Sequence, residues 1–373
     1  MKQAESGRPA DQQPWLGHLA GMKGIACLLV MAGHYAGIYL HAQAFVPPIP
    51  VIDRLSRFSA SLFDEGYWLY LFFVVSGYLV AKSRVETGRD LLVRCVSRFL
   101  RLALPVLFSC GVIWLIDRTV GFHAADTAPL FQSAWLQNCY TEACSLKDVL
   151  LSPFTVLLLG ESRLNAPYWV LRSMLLSSLL IYLLKYLCAR LKASGHEALT
   201  FSALALITLG AYALDPIITA CLAGMMLSLY ENSGIWKTPC FAIWALILVR
   251  AVYLIPLVVR PVLFFSALVL LIPRVPPLNR LFSSKPFQFL GRMSWGIYSF
   301  HWPLTCSAGA LAMLGLAART GLKAAYGLAF LLVLLLTLVL SFCFYHTFER
   351  LAAACTRKVS RLLQRALKVP DPS

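Results

Sequence analysis

Apolar runs of about 17 to 25 residues follow one another along this chain with short polar breaks, and each is long enough to cross a bilayer as a helix. In hydrocarbon every backbone N–H and C=O must be paired within its own segment, which leaves helices as the spanning unit for runs of this length. They fall near 16–40, 60–81, 99–118, 166–187, 199–214, 215–231, 239–257, 259–274, 294–316 and 325–347. The sequence therefore predicts an all-α, polytopic integral membrane bundle of about ten transmembrane helices and no separate soluble domain. Asp215-Pro216 and Arg260-Pro261 are the turn signals that divide the longer stretches. With 59% hydrophobic and 13% charged residues, an ordinary soluble globule is excluded. The first run follows a polar stretch, is too long for a signal-peptide core and lacks a small-residue cleavage site, so it is expected to stay. The expected division is 1–14 as a cytoplasmic N-terminal segment, 15–349 as the transmembrane domain and 350–373 as a basic cytoplasmic tail.

A net charge of +16 raises the question of nucleic acid, but in a membrane chain surplus Lys and Arg first report orientation. They concentrate in alternate loops and at the C-terminal end, which predicts both termini in the cytoplasm and no nucleic-acid partner. The segment 119–165 becomes the largest external loop. It holds a short apolar stretch, Val149 to Leu159, too brief to cross and suited to an interfacial or re-entrant course. Arg350 to Lys368 alternates charge with Leu and Val, the pattern of a helix lying on an anionic leaflet. None of the 11 cysteines has metal-ligand spacing, so no metal site is expected. Cys139 and Cys144 lie close together in the external loop, where a local disulfide and two free thiols are both open readings.

Ionisable residues inside apolar runs cost several kcal/mol unless they face a bundle interior, which makes them functional candidates. Lys23 and His34 share the first run. Eleven positions at about 100° per residue put them on nearly one helix face, roughly 16 Å apart, with the cation near one surface and the imidazole near the midplane. Gly17 with Gly21 and Gly33 with Gly37 are small-xxx-small pairs that admit a close neighbour. His301 follows Arg292 in Phe289–Pro303 at roughly 13 Å along the helix, and is also well inside the membrane. Imidazole suits proton exchange near neutral pH; a packing or kink role beside Trp302-Pro303 is the alternative for His301. Arg94, Arg98 and Arg101 enter the third run, Arg98 and Arg101 on one face with phosphate-binding geometry, or as plain topological anchors. Ser76-Gly77 interrupts LFFVVSGYLV and lets a helix or ligand approach. Asn165 to Trp169 is a turn into the fourth run, with Arg172 just inside; that cation needs an acid such as Glu161, Asp64 or Glu65, or an active role.

These pieces, in this order, resemble membrane acyltransferase family 3, the bacterial O-acyltransferases of surface sugars. Lys23 with His34 is similar to the family's (R/K)-x10-H first-helix motif, and Leu71–Leu79 to its FFVxSGFL element, with Tyr78 in place of Phe. Arg98-Phe-Leu-Arg101 with Pro105 resembles the basic entry to the third helix, and Asn165 to Leu171 the NxPxWSL stretch. Leu290-Gly291 through Pro303 resembles LGxxSYxIYLxHxP, and Tyr345 to Glu349 the closing YxxxE. The likeness covers nearly the whole chain. Two carboxylates that the family often carries are replaced, by Met174 after the WSL-like stretch and by Tyr70 before LFF.

The resemblance implies transfer of an acyl group, most often acetyl, from cytoplasmic acyl-CoA, with acetyl-CoA as the donor co-substrate, to a hydroxyl of a lipid-linked or surface polysaccharide, LPS O-antigen first among them. It implies the bacterial inner membrane as location. Lys23, Arg98, Arg101 and Ser76 are then the expected donor-binding residues, and His34 the general base, with Arg172 or His301 stabilising the oxyanion. Phe131, Trp135 and Tyr140 are candidates for sugar stacking or interfacial anchoring. Acyl-CoA, the polysaccharide and membrane lipids are the expected partners, with homo-oligomerisation left open. The rival readings are a polytopic transporter with a proton or anion pathway through the buried charges, and a non-catalytic polysaccharide export component.

Overall fold

A computed structural model describes residues 17–42, 48–58, 63–192, 215–230 and 259–367, with a few positions between 203 and 211. Every regular element among the described residues is helical. The helices are α1 (Gly17–Leu40), α2 (Pro50–Phe58), α3 (Glu65–Ala81), α4 (Gly88–Thr119), α5 (Ala124–Phe131), α6 (Ala134–Gln137), α7 (Leu146–Phe154) and α8 (Val170–Lys192). They continue with α9 (Pro216–Tyr230), α10 (Val259–Leu271), α11 (Pro276–Phe282), α12 (Lys285–Arg292), α13 (Ser294–Leu304), α14 (Ala310–Thr320), α15 (Leu322–Phe344) and α16 (Arg350–Ala366).

The all-helical membrane class is as expected, but the number of spans differs. Among the described residues 5 helices are long and apolar enough to cross, or up to 6 if the bent segment Arg260–Arg274 plus Pro276–Phe282 counts as one. The expected spans at 199–214 and 239–257 lie largely outside the described residues, as do 1–14 and 368–373. Two others, α3 and α9, are short of a full crossing. The run at 259–274 ends in a 101° bend into α11, where Pro273, Pro276 and Pro277 remove the N–H donors that a continuing helix needs.

In α15 the pattern is that of a membrane helix. Ala325, Ala329, Val333, Thr337 and Ser341 recur every four residues and are buried, while Leu328, Leu331, Leu335, Val339 and Phe342 are exposed. Small and hydroxyl residues face protein, because lipid already solvates leucine as well as a protein core does. Close approach of backbones also fixes the central pair. A Cβ on Gly77 of α3 would lie 1.8 Å from the Cys221 carbonyl oxygen of α9, and one on Gly224 of α9 would lie 1.9 Å from that of Val74. The same holds between α1 and the α11–α12 corner, where a Cβ on Gly21 would meet the Phe282 carbonyl oxygen at 1.9 Å. At Gly37, by contrast, an added Cβ would meet the His41 ring of its own next turn at an ordinary 3.7 Å.

The basic tail continues the last long apolar helix without a break: Leu322 to Ala366 forms a single helical run of 45 residues, roughly 68 Å at 1.5 Å per residue and more than twice a hydrocarbon core. Its last part, α16, packs along the start of the 32-residue α4. There the Ser97 and Ser360 hydroxyls meet at 2.7 Å, and Arg89 donates to the Leu367 carbonyl at 3.0 Å. A cation on those last carbonyls satisfies orphan acceptors and complements the helix dipole. Cys139 and Cys144 are free thiols: Cys144 is buried, and Cys139 donates to the Trp135 carbonyl. The short stretch after Ser145 is helix α7 followed by a π-turn, Thr155–Leu159. It packs on α4 and exposes Leu150, Leu151, Phe154, Leu158 and Leu159.

Candidate active site

Helix α1 runs from Gly17 to Leu40, so Lys23 and His34 each stand six residues from an end, roughly 9 Å inside it. His34 therefore stands about as far from the middle of the helix as from its far end. There it meets His301 of α13, the two rings 5.0 Å apart between centroids and His34 Nδ1 3.3 Å from His301 Nε2. His301 is 1% exposed.

Hydrogen bonding dictates the protons of this pair. His301 Nδ1 lies 2.9 Å from the Ile297 carbonyl, which can only accept, so this nitrogen carries a hydrogen and Nε2 of the neutral ring is bare. His34 Nδ1 faces that bare nitrogen and, at 3.1 Å, the Val30 carbonyl, two acceptors, so it too carries its hydrogen. The lone pair of neutral His34 is then on Nε2, the nitrogen directed away from His301. His34 is set up as a base, and His301 holds its tautomer. Both His301 nitrogens are engaged, so it has no N–H left for an oxyanion.

Several residues hold α13 in place one turn before His301. Asn165 Nδ2 donates to the Ser299 carbonyl at 2.9 Å, and Tyr168 donates to Ser299 Oγ at 2.7 Å. Ser109 of α4 meets the Tyr168 hydroxyl at 2.5 Å, and Tyr298 donates to the Pro167 carbonyl. The turn from Asn165 to Trp169 is thus a clamp on the histidine helix, a role that reading it as a turn did not reveal. After His301, Pro303 and a π-turn, Thr305–Gly309, break the regular ladder, and the Cys306 carbonyl accepts the His123 N–H at 2.7 Å. The segment between α4 and α8 docks on that opening. Trp302 stacks on Trp135 of α6, centroids 4.5 Å apart, and its ring is 5.8 Å from that of His34. Its buried Nε1 has no hydrogen-bond partner among the described residues.

At the other end, two cavities of about 390 Å³ and about 340 Å³ meet. Lys23, Arg101, Leu79, Ser294 and Trp295 line both. The larger runs along α3 past Ser76 and Arg98 to Tyr298, whose ring centroid is 6.1 Å from that of His301. Arg98 is sunk between helices and donates to Ser76 Oγ at 2.8 Å and to Ser178 Oγ at 2.9 Å. Among the described residues no carboxylate pairs with it, so a guanidinium with two neutral acceptors faces a cavity and favours an anion there. The sequence-predicted Lys23, Ser76, Arg98 and Arg101 are thus brought together.

Arg172 is not brought to this site. It is exposed on α8 against Gly160, while its neighbours Leu171 and Met174 line the larger cavity, because one position along a helix turns a side chain by about 100°. Of the acids considered for it, the Glu65 side chain lies outside the described residues, and neither Asp64 nor Glu161 pairs with it among the described contacts. Asp64 caps α3 through the Tyr67 N–H, Glu161 is exposed, and Arg163 takes Glu142 and Asp148. The carboxylate that does join the cations is Glu349, in the smaller cavity with Lys23 and Arg101. The YxxxE-like ending was its sequence signal.

A family model described as an acyltransferase domain matches residues 17–346. The chain belongs to acyltransferase family 3. No curated protein and no solved structure matched it. The two ends of this site differ in chemistry, with the cations Lys23, Arg98 and Arg101 at one and the histidine pair at the other. Arg98→Met is expected to raise the KM for an anionic donor about tenfold, the loss of one charge-assisted contact, with the KM of the acceptor unchanged in steady-state assays of purified protein.

Proposed function

We propose that this acyltransferase moves an acyl group, acetyl in the first instance, from cytoplasmic acyl-CoA to a hydroxyl of a lipid-linked or surface sugar, LPS O-antigen or a related polysaccharide. The reading rests above all on one observation: a histidine pair at 3.3 Å whose hydrogen bonds place the His34 lone pair on Nε2, on the helix that also carries Lys23 of a cation-lined cavity. A pantetheine arm has the length of about four extended residues, on the order of 14 Å, comparable with the roughly 16 Å between Lys23 and His34. Phosphates held at Lys23 and Arg101 thus put the thioester within reach of the pair, once the Tyr298 ring moves aside.

In the proposed reaction His34 Nε2 takes the proton of the sugar hydroxyl as its oxygen bonds to the thioester carbonyl carbon. The C–S bond then breaks, and the leaving thiolate recovers that proton from the imidazolium. The Trp302 indole N–H, buried and unpartnered among the described residues and on a ring 5.8 Å from that of His34, is the donor this mechanism assigns to the oxyanion, the task expected of Arg172 or His301.

On the acceptor side the three aromatic candidates separate. Phe131 is buried and Tyr140 is stacked on Phe122 at 3.8 Å, whereas Trp135 is 43% exposed and rests on Trp302. Trp135→Ala is expected to raise the acceptor KM about tenfold, in line with stacking worth on the order of 1 kcal/mol, with Trp135→Phe close to wild type; initial rates over a range of glycan concentrations check this.

Membranes containing the protein, radiolabelled acetyl-CoA and host surface glycan test the reading. Label in the glycan, absent from membranes without the protein, supports it. Solute flux without acyl-CoA consumption points to the transporter, and neither, across a panel of acyl donors, to the export component.

A further inference from the structure

The smaller cavity has a wall that the family match does not reach. The matched stretch ends at residue 346, yet Glu349 and, from α16, Ala352, Ala353 and Thr356 line this cavity together with Lys23, Arg101 and Arg292. The three residues from α16 are small, so the wall is smooth where bulk would fill the space. The same cavity carries three cations, and the Trp295 indole Nε1, buried and without a hydrogen-bond partner among the described residues, belongs to the wall shared with the larger cavity. Space beside the small residues, and a positive balance of three cations against the one Glu349 carboxylate, suit a flat, phosphate-bearing group.

We infer that α16 forms one wall of a subsite for the 3′-phosphoadenosine end of the acyl-CoA donor, with Arg292 on the 3′-phosphate. This rests on the reading of acyl-CoA as donor. The diphosphate sits at the Lys23–Arg101 junction common to both cavities, and the pantetheine arm leaves through the larger one past Ser76. The packing of α16 on α4, through Ser97 with Ser360 and Arg89 with the Leu367 carbonyl, then has a consequence for binding. The C-terminal helix holds the donor, beyond any role at the leaflet surface, and Ala353 is the position where added volume closes the subsite.

Binding to the full-length protein in nanodiscs tests this by calorimetry, with CoA, dephospho-CoA and 4′-phosphopantetheine as probes. The last lacks the adenosine and does not reach the subsite. Ala353→Trp is expected to weaken CoA at least tenfold and to leave 4′-phosphopantetheine within twofold. Arg292→Ala, an exposed change that leaves the packing of α16 alone, is expected to weaken CoA about tenfold and dephospho-CoA little. Equal CoA affinity in wild type and both variants overturns the subsite while leaving the donor reading intact. Equal weakening of CoA and 4′-phosphopantetheine by Ala353→Trp also overturns it, since the effect is then not local to the adenosine. If wild type binds neither CoA nor 4′-phosphopantetheine, the donor reading fails and the subsite with it. If wild type retains phosphatidylglycerol that Ala353→Trp loses, and CoA does not displace it, the phosphate belongs to a lipid headgroup and the inference is wrong.

Discussion

Replacing His34 by Ala is expected to lower kcat for acyl transfer by about 10² to 10⁴, the usual contribution of a positioned general base. The KM for acyl-CoA should hardly move, because the donor-binding cations stand at the opposite end of α1. His301→Ala should cost less, on the order of tenfold to a hundredfold, since it removes the group that fixes the His34 tautomer rather than the base itself. The double variant should be no slower than His34→Ala. Residues that act as a unit are not additive, and a positioning residue has nothing left to position once the base is gone. Initial rates for the four proteins, normalised to folded protein, check this. A double variant slower than the single by the full His301 factor would show that His301 acts on the reaction by itself.

The second large effect is on the fold. Gly77→Ala places a Cβ 1.8 Å from the Cys221 carbonyl oxygen, and Gly224→Ala places one 1.9 Å from that of Val74. Neither neighbour is the end of a flexible side chain, so α3 and α9 must separate by more than an ångström. Overpacking of a tight interior typically costs about 1 to 3 kcal/mol and more when backbone has to move, and here the shift also drags Ser76 away from Arg98. Both variants are expected to lose most folded protein in detergent, whereas Gly315→Ala, with open space around its Cβ, should match wild type. Size-exclusion profiles and thermal denaturation of the purified proteins separate the two outcomes.

What could be seen in the chain beforehand follows from what each signal depends on. Hydropathy shows that a run can cross a bilayer, and it gave the helical membrane class, but it does not show whether the run does so whole. The bend after Arg274 and the short α3 and α9 come from proline placement and from packing against neighbours. Periodicity put Lys23 and His34 on one face, because that is a property of a single helix. The pairing of His34 with His301 joins positions 267 residues apart, and only the order of the motifs hinted at it. The oxyanion role offered for Arg172 rested on its place just inside the fourth run and on the mechanism that the resemblance implies. Which way a side chain turns depends on the helix rotation that the Asn165–Trp169 clamp imposes, and it turns outward. Glu349 stood in a motif but carried no separate indication that a continuous α15–α16 run would bring it to Lys23.

In the proposed reaction donor and acceptor meet at His34 from opposite faces of the bilayer. Sided proteoliposomes test it most directly, with labelled acetyl-CoA confined to one side and glycan to the other. Label should enter the glycan only when the donor is on the side of Lys23 and Arg101 and the glycan on the side of Trp135. Transfer only when donor and glycan share a side, or passage of intact acetyl-CoA through the vesicle wall, would contradict it.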